Sequence, residues 1–266
     1  MLTDGLLHPR TADRAPVLVG GRVCVWFAGL DCSDAEVNRS AHILTDDESQ
    51  RAARFHHERD RRRFIIARAV LREILGFCLG VGPRRLSFRC GQFGKPMLAG
   101  EFEQSEIRFN MSHSGGGALY AVSLGREVGV DLELLRPLAD MSSLAQSCFS
   151  AAENLTLQAL PGRERLRGFF DGWTRKEAFL KATGHGLSFS LQAFEVSLAP
   201  GVGRRALMLH HNGENEPAWT LVSLAPLPDY AAALVVEGQD CSIACAEWLV
   251  EPAASPDHFL PHSLGR

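Results

Sequence analysis

Asp131 and Glu133 stand two apart in the run Gly129-Val130-Asp131-Leu132-Glu133. In a strand, alternate side chains share a face. The two carboxylates therefore point one way, and Val130 and Leu132 the other. Neighbouring carboxylates repel unless a cation lies between them or water screens them. A hard divalent ion such as magnesium binds carboxylate oxygens and keeps several waters. The same spacing also describes a half-buried strand with a solvated outer face. A second group lies in Trp173-Thr174-Arg175-Lys176-Glu177-Ala178-Phe179-Leu180-Lys181. Trp173, Glu177 and Lys181, spaced by four, share a helix face. Glu177 can bring a third carboxylate to a metal and Lys181 a charge to a phosphate. The two can equally form a surface pair worth roughly a few tenths of a kcal/mol. The third group is Phe109-Asn110-Met111-Ser112-His113-Ser114-Gly115-Gly116-Gly117. Backbone N–H groups, hydroxyls and an imidazole in such a turn suit phosphate oxygens, and a flexible hairpin is the plainer reading. No Gly-Lys-Ser/Thr follows, so it is not a Walker loop. Lys95, in the turn Gly94-Lys95-Pro96, can reach a phosphate or be solvated.

Recurrent elements must hold these groups. Arg22 to Ala28 alternates and is rich in β-formers, which predicts a strand. Thr45-x-x-Glu48 is a capping box that starts a helix. A long helix follows through Phe64, Ile65, Val70, Leu71, Ile74, Leu75 and Cys78 and stops at Gly80, Gly82 and Pro83. Short strands come next, at LSFR, IRFN, ALYAVSL and VGVDLEL. The second half repeats the order. Ser150-x-x-Glu153 is another capping box, a long helix ends at Gly184 and Gly186, and LSFS at Leu187 echoes LSFR at Leu86. Strands are predicted at AFEVSL, WTLVSL and AAALVVEG. The echo points to two similar α+β units, an N-terminal half over 21–125 and a C-terminal half over 126–249. Loosely ordered ends are expected at 1–20 and 250–266.

Composition excludes several classes. The chain has 266 residues, of which 45% are hydrophobic and 22% charged, with a formal net charge of −3. That suits a soluble globular protein and supplies no global basic field for nucleic acid. The arginines clustered between Arg51 and Arg72 suit a solvated helix face, or a surface for phosphates or an acidic protein. Seven scattered cysteines without a Cys-x-x-Cys pair argue against a zinc site or a disulfide framework. The N-terminus lacks the pattern of a signal peptide, and no apolar run is long enough to span a membrane. A cytoplasmic location is expected.

The order of these segments is more specific than any one of them. FGKP at Phe93 to Pro96, FNMSHSGG at Phe109 to Gly116, GVDLE at Gly129 to Glu133, the Phe149 to Glu153 segment, WTRKEAFLK at Trp173 to Lys181 and GLS at Gly186 to Ser188 follow one another. Together they resemble the 4'-phosphopantetheinyl transferases, specifically the single-chain, two-half Sfp-type branch. The resemblance spans about Arg51 to Leu198. It implies a pseudo-twofold pair of α+β halves, each a small antiparallel sheet packed with a long helix, with the active site between them. It implies transfer of the phosphopantetheine arm of coenzyme A to a serine of an apo acyl or peptidyl carrier protein, releasing adenosine 3',5'-bisphosphate.

By motif match, Asp131, Glu133 and Glu177 would bind Mg2+, with Mn2+ as a substitute. Ser112, His113 and Lys181 would meet coenzyme A phosphates, Lys95 the nucleotide end, and Arg51 and Arg63 the nucleotide's phosphates. His113 and Lys181 would stabilise the leaving phosphate, and Glu177 is the candidate base for the serine proton. The family often has a basic residue where this chain has Glu48, which weakens the expected grip on the ribose 3'-phosphate. Glu153 matches a functional carboxylate, and its capping box explains it equally well. The carriers implied serve fatty-acid, polyketide or nonribosomal peptide synthesis. A monomer is expected, without nucleic-acid or membrane partners. Two rivals are a magnesium-dependent phosphotransferase using a nucleoside triphosphate and a non-catalytic carrier-binding relative. The second should have lost a metal ligand or the helix lysine, and all of these are present.

Overall fold

The computed structural model describes residues 18–91, 94–184, 186, 189–199, 204–207 and 218–250. The expectations for the two ends, for Phe93 and for Leu187 and Ser188 lie outside the described residues. Strand β1 (Arg22–Gly29) opens the described chain. Helices α1 (Asp34–Ala41), α2 (Asp46–Ala52) and α3 (Glu58–Leu79) follow. A hairpin of β2 (Ser87–Cys90) and β3 (Pro96–Ala99) precedes β4 (Ile107–Ser114), β5 (Gly117–Leu124) and β6 (Val128–Leu134). Then come α4 (Met141–Cys148), α5 (Ala151–Ala159), α6 (Gly162–Thr183), β7 (Arg204–Leu207), β8 (Trp219–Leu224), β9 (Tyr230–Glu237) and β10 (Ser242–Glu247).

Two four-stranded sheets, ordered β10-β1-β5-β4 and β6-β9-β8-β7, lie at the centre. Their inner faces pack on each other through Val23, Val25, Phe27, Leu119 and Ala121 on one side. Val128, Val130, Leu132, Leu234 and Val236 meet them from the other. The outer faces take the long helices. α3 buries Ile66, Val70, Leu71 and Ile74 against Cys24, Trp26, Tyr120 and Val122, and α6 buries Phe179 and Ala182 against Trp219, Leu221, Ala233 and Val235. The order helix, sheet, sheet, helix is the duplicated α+β arrangement that the internal echo predicts.

The repetition extends to single side chains. Each long helix has 22 residues and ends at a left-handed glycine, Gly80 or Gly184, where a Cβ would be strained. Each is preceded by a short helix whose capping glutamate is buried against it. Glu48 accepts from Thr45 N and pairs with Arg72 Nε at 2.7 Å and Arg68 Nε at 2.9 Å. Glu153 accepts from Ser150 N and pairs with Lys176 Nζ at 2.8 Å. Burying a carboxylate is costly unless it is paired and hydrogen-bonded, and both glutamates meet that condition.

Three expectations change. First, AFEVSL (Ala193 to Leu198) forms no strand. Its backbone is taken by side chains instead: Lys176 Nζ donates to Phe194 O, Glu153 accepts from Val196 N, and Arg175 donates to Ser197 O and Ala199 O. Second, Ser112, His113 and Ser114 lie within β4, and only Gly115 and Gly116 make the turn. Third, β10 leaves the expected C-terminal half and pairs in parallel with β1, Arg22 opposite Ser242 through Phe27 opposite Glu247. The half boundary at 126–249 therefore does not follow the sheets. Helix α1 was missed, although Ser33-x-x-Glu36 caps it.

Candidate active site

β4 and β6 run side by side where the two sheets meet, and β4 reaches across with side chains. Asn110 Oδ1 accepts from Val130 N at 2.9 Å, Ser112 Oγ donates to Asp131 Oδ1 at 2.8 Å, and Ser114 Oγ donates to Glu133 Oε2 at 2.7 Å. Ser114 Oγ also accepts from Leu134 N. These small polar residues recur at alternate positions, so one face of β4 presents them all. Asn110 and Ser114 were not among the expected site residues. Their period of two within Asn110-Met111-Ser112-His113-Ser114 was the available signal.

Helix α6 brings the rest. It can lie close to β6 because Gly129 has no side chain. A methyl there would collide with the Ala178 carbonyl oxygen and the Ala182 backbone nitrogen. Lys181 Nζ donates to Asp131 Oδ1 at 2.6 Å and to Ser112 Oγ at 3.0 Å. Asp131 is 4% exposed, and its Oδ2 is buried without a partner. An orphaned buried carboxylate oxygen is costly and is the natural place for a cation. Burial, then the charge of Asp131, raises the Glu177 carboxyl above the usual range, with Lys181 opposing and Glu133 adding. Glu133 is raised by burial and by Asp131, against the Ser114 hydrogen bond. Asp131 thus acts on both glutamates, and Glu133 on Glu177. Among the described residues, no three His, Cys, Asp or Glu side chains close into a ready-made metal cage. Lys181 takes one Asp131 oxygen, and Oδ2 stays open. An all-oxygen donor set of this kind suits a hard divalent ion.

The remaining expected residues are more scattered. His113 lies on the other face of β4 from Ser112. Its protonated form is disfavoured by the surrounding protein and then by Lys181 and Arg51, which lowers its pKa. Arg51 is exposed on α2, its guanidinium 5.3 Å from the Phe64 ring centroid, and lines an open hollow with Gln50, Arg54 and Phe55. Arg63 on α3 is held by both oxygens of Asp31, at 2.7 and 2.8 Å. Lys95 is bound to Glu127 Oε2 at 2.8 Å and to the carbonyls of Val128 and Ala182. Ser112, Asp131, Glu133, Glu177 and Lys181 therefore form one cluster, His113 lies within electrostatic reach of Lys181 and of Arg51, and Arg63 and Lys95 are engaged by other carboxylates. Both oxygens of Glu153 are used, one by Ser150 N and Lys176 and the other by Val196 N.

Charges arranged this way serve the transfer of a phosphate-bearing group. A model of the N-terminal part of 4'-phosphopantetheinyl transferases matches residues 31–124, and one of the 4'-phosphopantetheinyl transferase superfamily matches 127–235. The chain is 39% identical over 221 residues to the 4'-phosphopantetheinyl transferase HetI of Nostoc sp., covering 83% of this chain and 90% of that protein. It is 27% identical over 206 residues to the 4'-phosphopantetheinyl transferase ffp of Bacillus subtilis, covering 74% and 89%. With Sfp of the same species it shares 27% identity over 166 residues, 62% of this chain and 71% of that one. The chain belongs to the 4'-phosphopantetheinyl transferase superfamily, with Sfp-type relatives, and is an enzyme of that type.

Proposed function

We propose that this enzyme moves the phosphopantetheine arm of coenzyme A to a serine of apo acyl or peptidyl carrier proteins. In this reading Asp131, Glu133 and Glu177 hold a magnesium ion. The observation that carries it is the Ser112–Asp131–Lys181 cluster with its unpartnered, buried Asp131 Oδ2. When bound, the ion would neutralise charge on the pyrophosphate and the transferring phosphorus. Lys181 and Ser112 hold the pyrophosphate oxygens, and His113, on the other face of β4 and within reach of Arg51, meets another phosphate of coenzyme A. The carrier serine Oγ attacks the β-phosphorus, the bond to the bridging oxygen breaks, and adenosine 3',5'-bisphosphate leaves with that oxygen. Glu177 takes the serine proton. Expected carriers are those of fatty-acid, polyketide or nonribosomal peptide synthesis, and the enzyme works in the cytoplasm as a monomer. No helix among the described residues is long and apolar enough to cross a membrane.

Incubation with coenzyme A, magnesium and apo acyl or peptidyl carrier protein, followed by mass measurement of the carrier, tests the reading. A gain of one phosphopantetheine group is expected, lost on chelation and restored by Mg2+ or Mn2+. Asp131→Asn and Glu177→Gln should each lower the rate by at least about 100-fold while remaining folded. Near-normal transfer by both variants would overturn the carboxylate assignment.

A further inference from the structure

Lys95 is the residue whose surroundings depart furthest from the role that its motif suggests. Its side chain is 17% exposed. An ammonium has three N–H donors, and all three are spent: on Glu127 Oε2 at 2.8 Å, Val128 O at 3.1 Å and Ala182 O at 3.3 Å. No donor is left for a phosphate. The acceptors lie on, or directly before, the two elements that carry the active site. Val128 opens β6, three residues before Asp131, and Ala182 directly follows Lys181 on α6. The Ala182 carbonyl belongs to the last turn of α6, where carbonyls lack helical partners and where a cation is favoured by the helix dipole. Glu127 is itself steadied, since Arg108 Nε reaches its other oxygen at 3.2 Å. β6 and α6 are in close contact here, where Gly129 meets Ala178 and Ala182.

We propose that Lys95 is a positioning residue for the transfer. Its ammonium clamps the β2–β3 hairpin onto the strand that carries Asp131 and the helix that carries Lys181, and so fixes the distance between those two side chains. The proposal rests on the transferase reading and adds to it a residue that acts without touching substrate. The clamp also closes one side of a cleft of about 240 Å³ lined by Met97, Ile107, Phe109, Glu127 and Thr183. Without the clamp, the last turn of α6 can shift along β6. A displacement of about 1 Å in such a constellation costs on the order of 100-fold in rate.

The experiment compares Lys95→Gln, Lys95→Arg, Glu127→Gln and the double variant Lys95→Gln/Glu127→Gln. Transfer from coenzyme A to an apo carrier protein is measured at steady state, and amide exchange is followed over 178–184. A clamp predicts that Lys95→Gln lowers kcat by about tenfold or more with KM for coenzyme A within about twofold. Glu127→Gln should do the same, the double variant should be no worse than Lys95→Gln, and Lys95→Arg should recover most of the rate. Exchange over 178–184 should speed up in Lys95→Gln and Glu127→Gln alike. A raised KM at unchanged kcat in Lys95→Gln, with Glu127→Gln silent, would make Lys95 a substrate ligand and overturn the proposal. Unchanged exchange in both variants would overturn it too. Exchange needs no turnover, so a wild-type enzyme inactive on the carrier would count against the transferase reading while exchange still decides the clamp.

Discussion

Glu177 is raised by burial and then by Asp131, and Glu133 by burial and then by the same neighbour. The sign for stability follows from linkage. A carboxyl with a folded-state pKa above its unfolded one contributes stability below the unfolded pKa and loses it as pH rises through the folded value. At neutral pH the ionised pair is therefore a liability to the metal-free fold. Glu177→Gln should melt above wild type at pH 7 in chelator. The gap should close below the ordinary glutamate range, where both proteins carry a neutral group. Added magnesium should raise the wild-type midpoint and leave the variant nearly unmoved. Thermal unfolding across pH, with and without metal, checks all three. At this scale the sequence was most legible for Asp131, Glu133, Glu177 and Lys181, because strand and helix periods place them. It was least legible for the cations. Arg63 on Asp31 and Lys95 on Glu127 depend on partners about 32 residues away, and no local spacing announces such pairs.

Among elements, the β6–α6 crossing has the narrowest tolerance. Gly129→Ala would drive a methyl into the backbone of Ala178 and Ala182. Overpacking of this kind costs about 1–3 kcal/mol or more, and separating strand from helix would pull Lys181 from Asp131. Denaturant unfolding should show that loss. The variant's kcat should fall by more than its KM for coenzyme A rises. Capping boxes were legible as helix starts, yet their second task was hidden. Glu48 and Glu153 are caps whose carboxylates also anchor α3 and α6, which a Ser/Thr-x-x-Glu pattern does not record. Glu48 thereby has a structural reason to stand where the family often has a base. AFEVSL failed as a strand for a related reason. Alternation marks a segment as extended and half-buried, and whether its backbone finds a ladder or the side chains of Arg175 and Lys176 is decided by α6.

For the molecule as a whole, the duplicated halves were legible in the repeated order of elements, and their interlocking was not. β10 closes the edge of β1, and beyond it Trp248 N donates to Phe27 O and Trp248 Nε1 to Glu73. A chain ending at Asp240 would leave β1 as an unpaired edge over a large core, a template for aggregation. It should lose soluble, cooperatively melting protein and not simply fold with a lower midpoint. Expression followed by size-exclusion chromatography and circular dichroism would show this. A chain of intermediate solubility with full carrier-modifying activity would contradict the role given to β10.

That returning strand also sets an order of events during synthesis. The first sheet is built from β1, β4 and β5, but its last place is filled by β10, which leaves the ribosome after every other described strand. Contacts of such long sequence separation form late and slowly. Until then β1 carries an open edge, and β4, which steadies Asp131 and Glu133, belongs to an unfinished sheet. The nascent protein is therefore expected to depend on holding factors until β10 has emerged, and to become competent for catalysis only once that strand has docked.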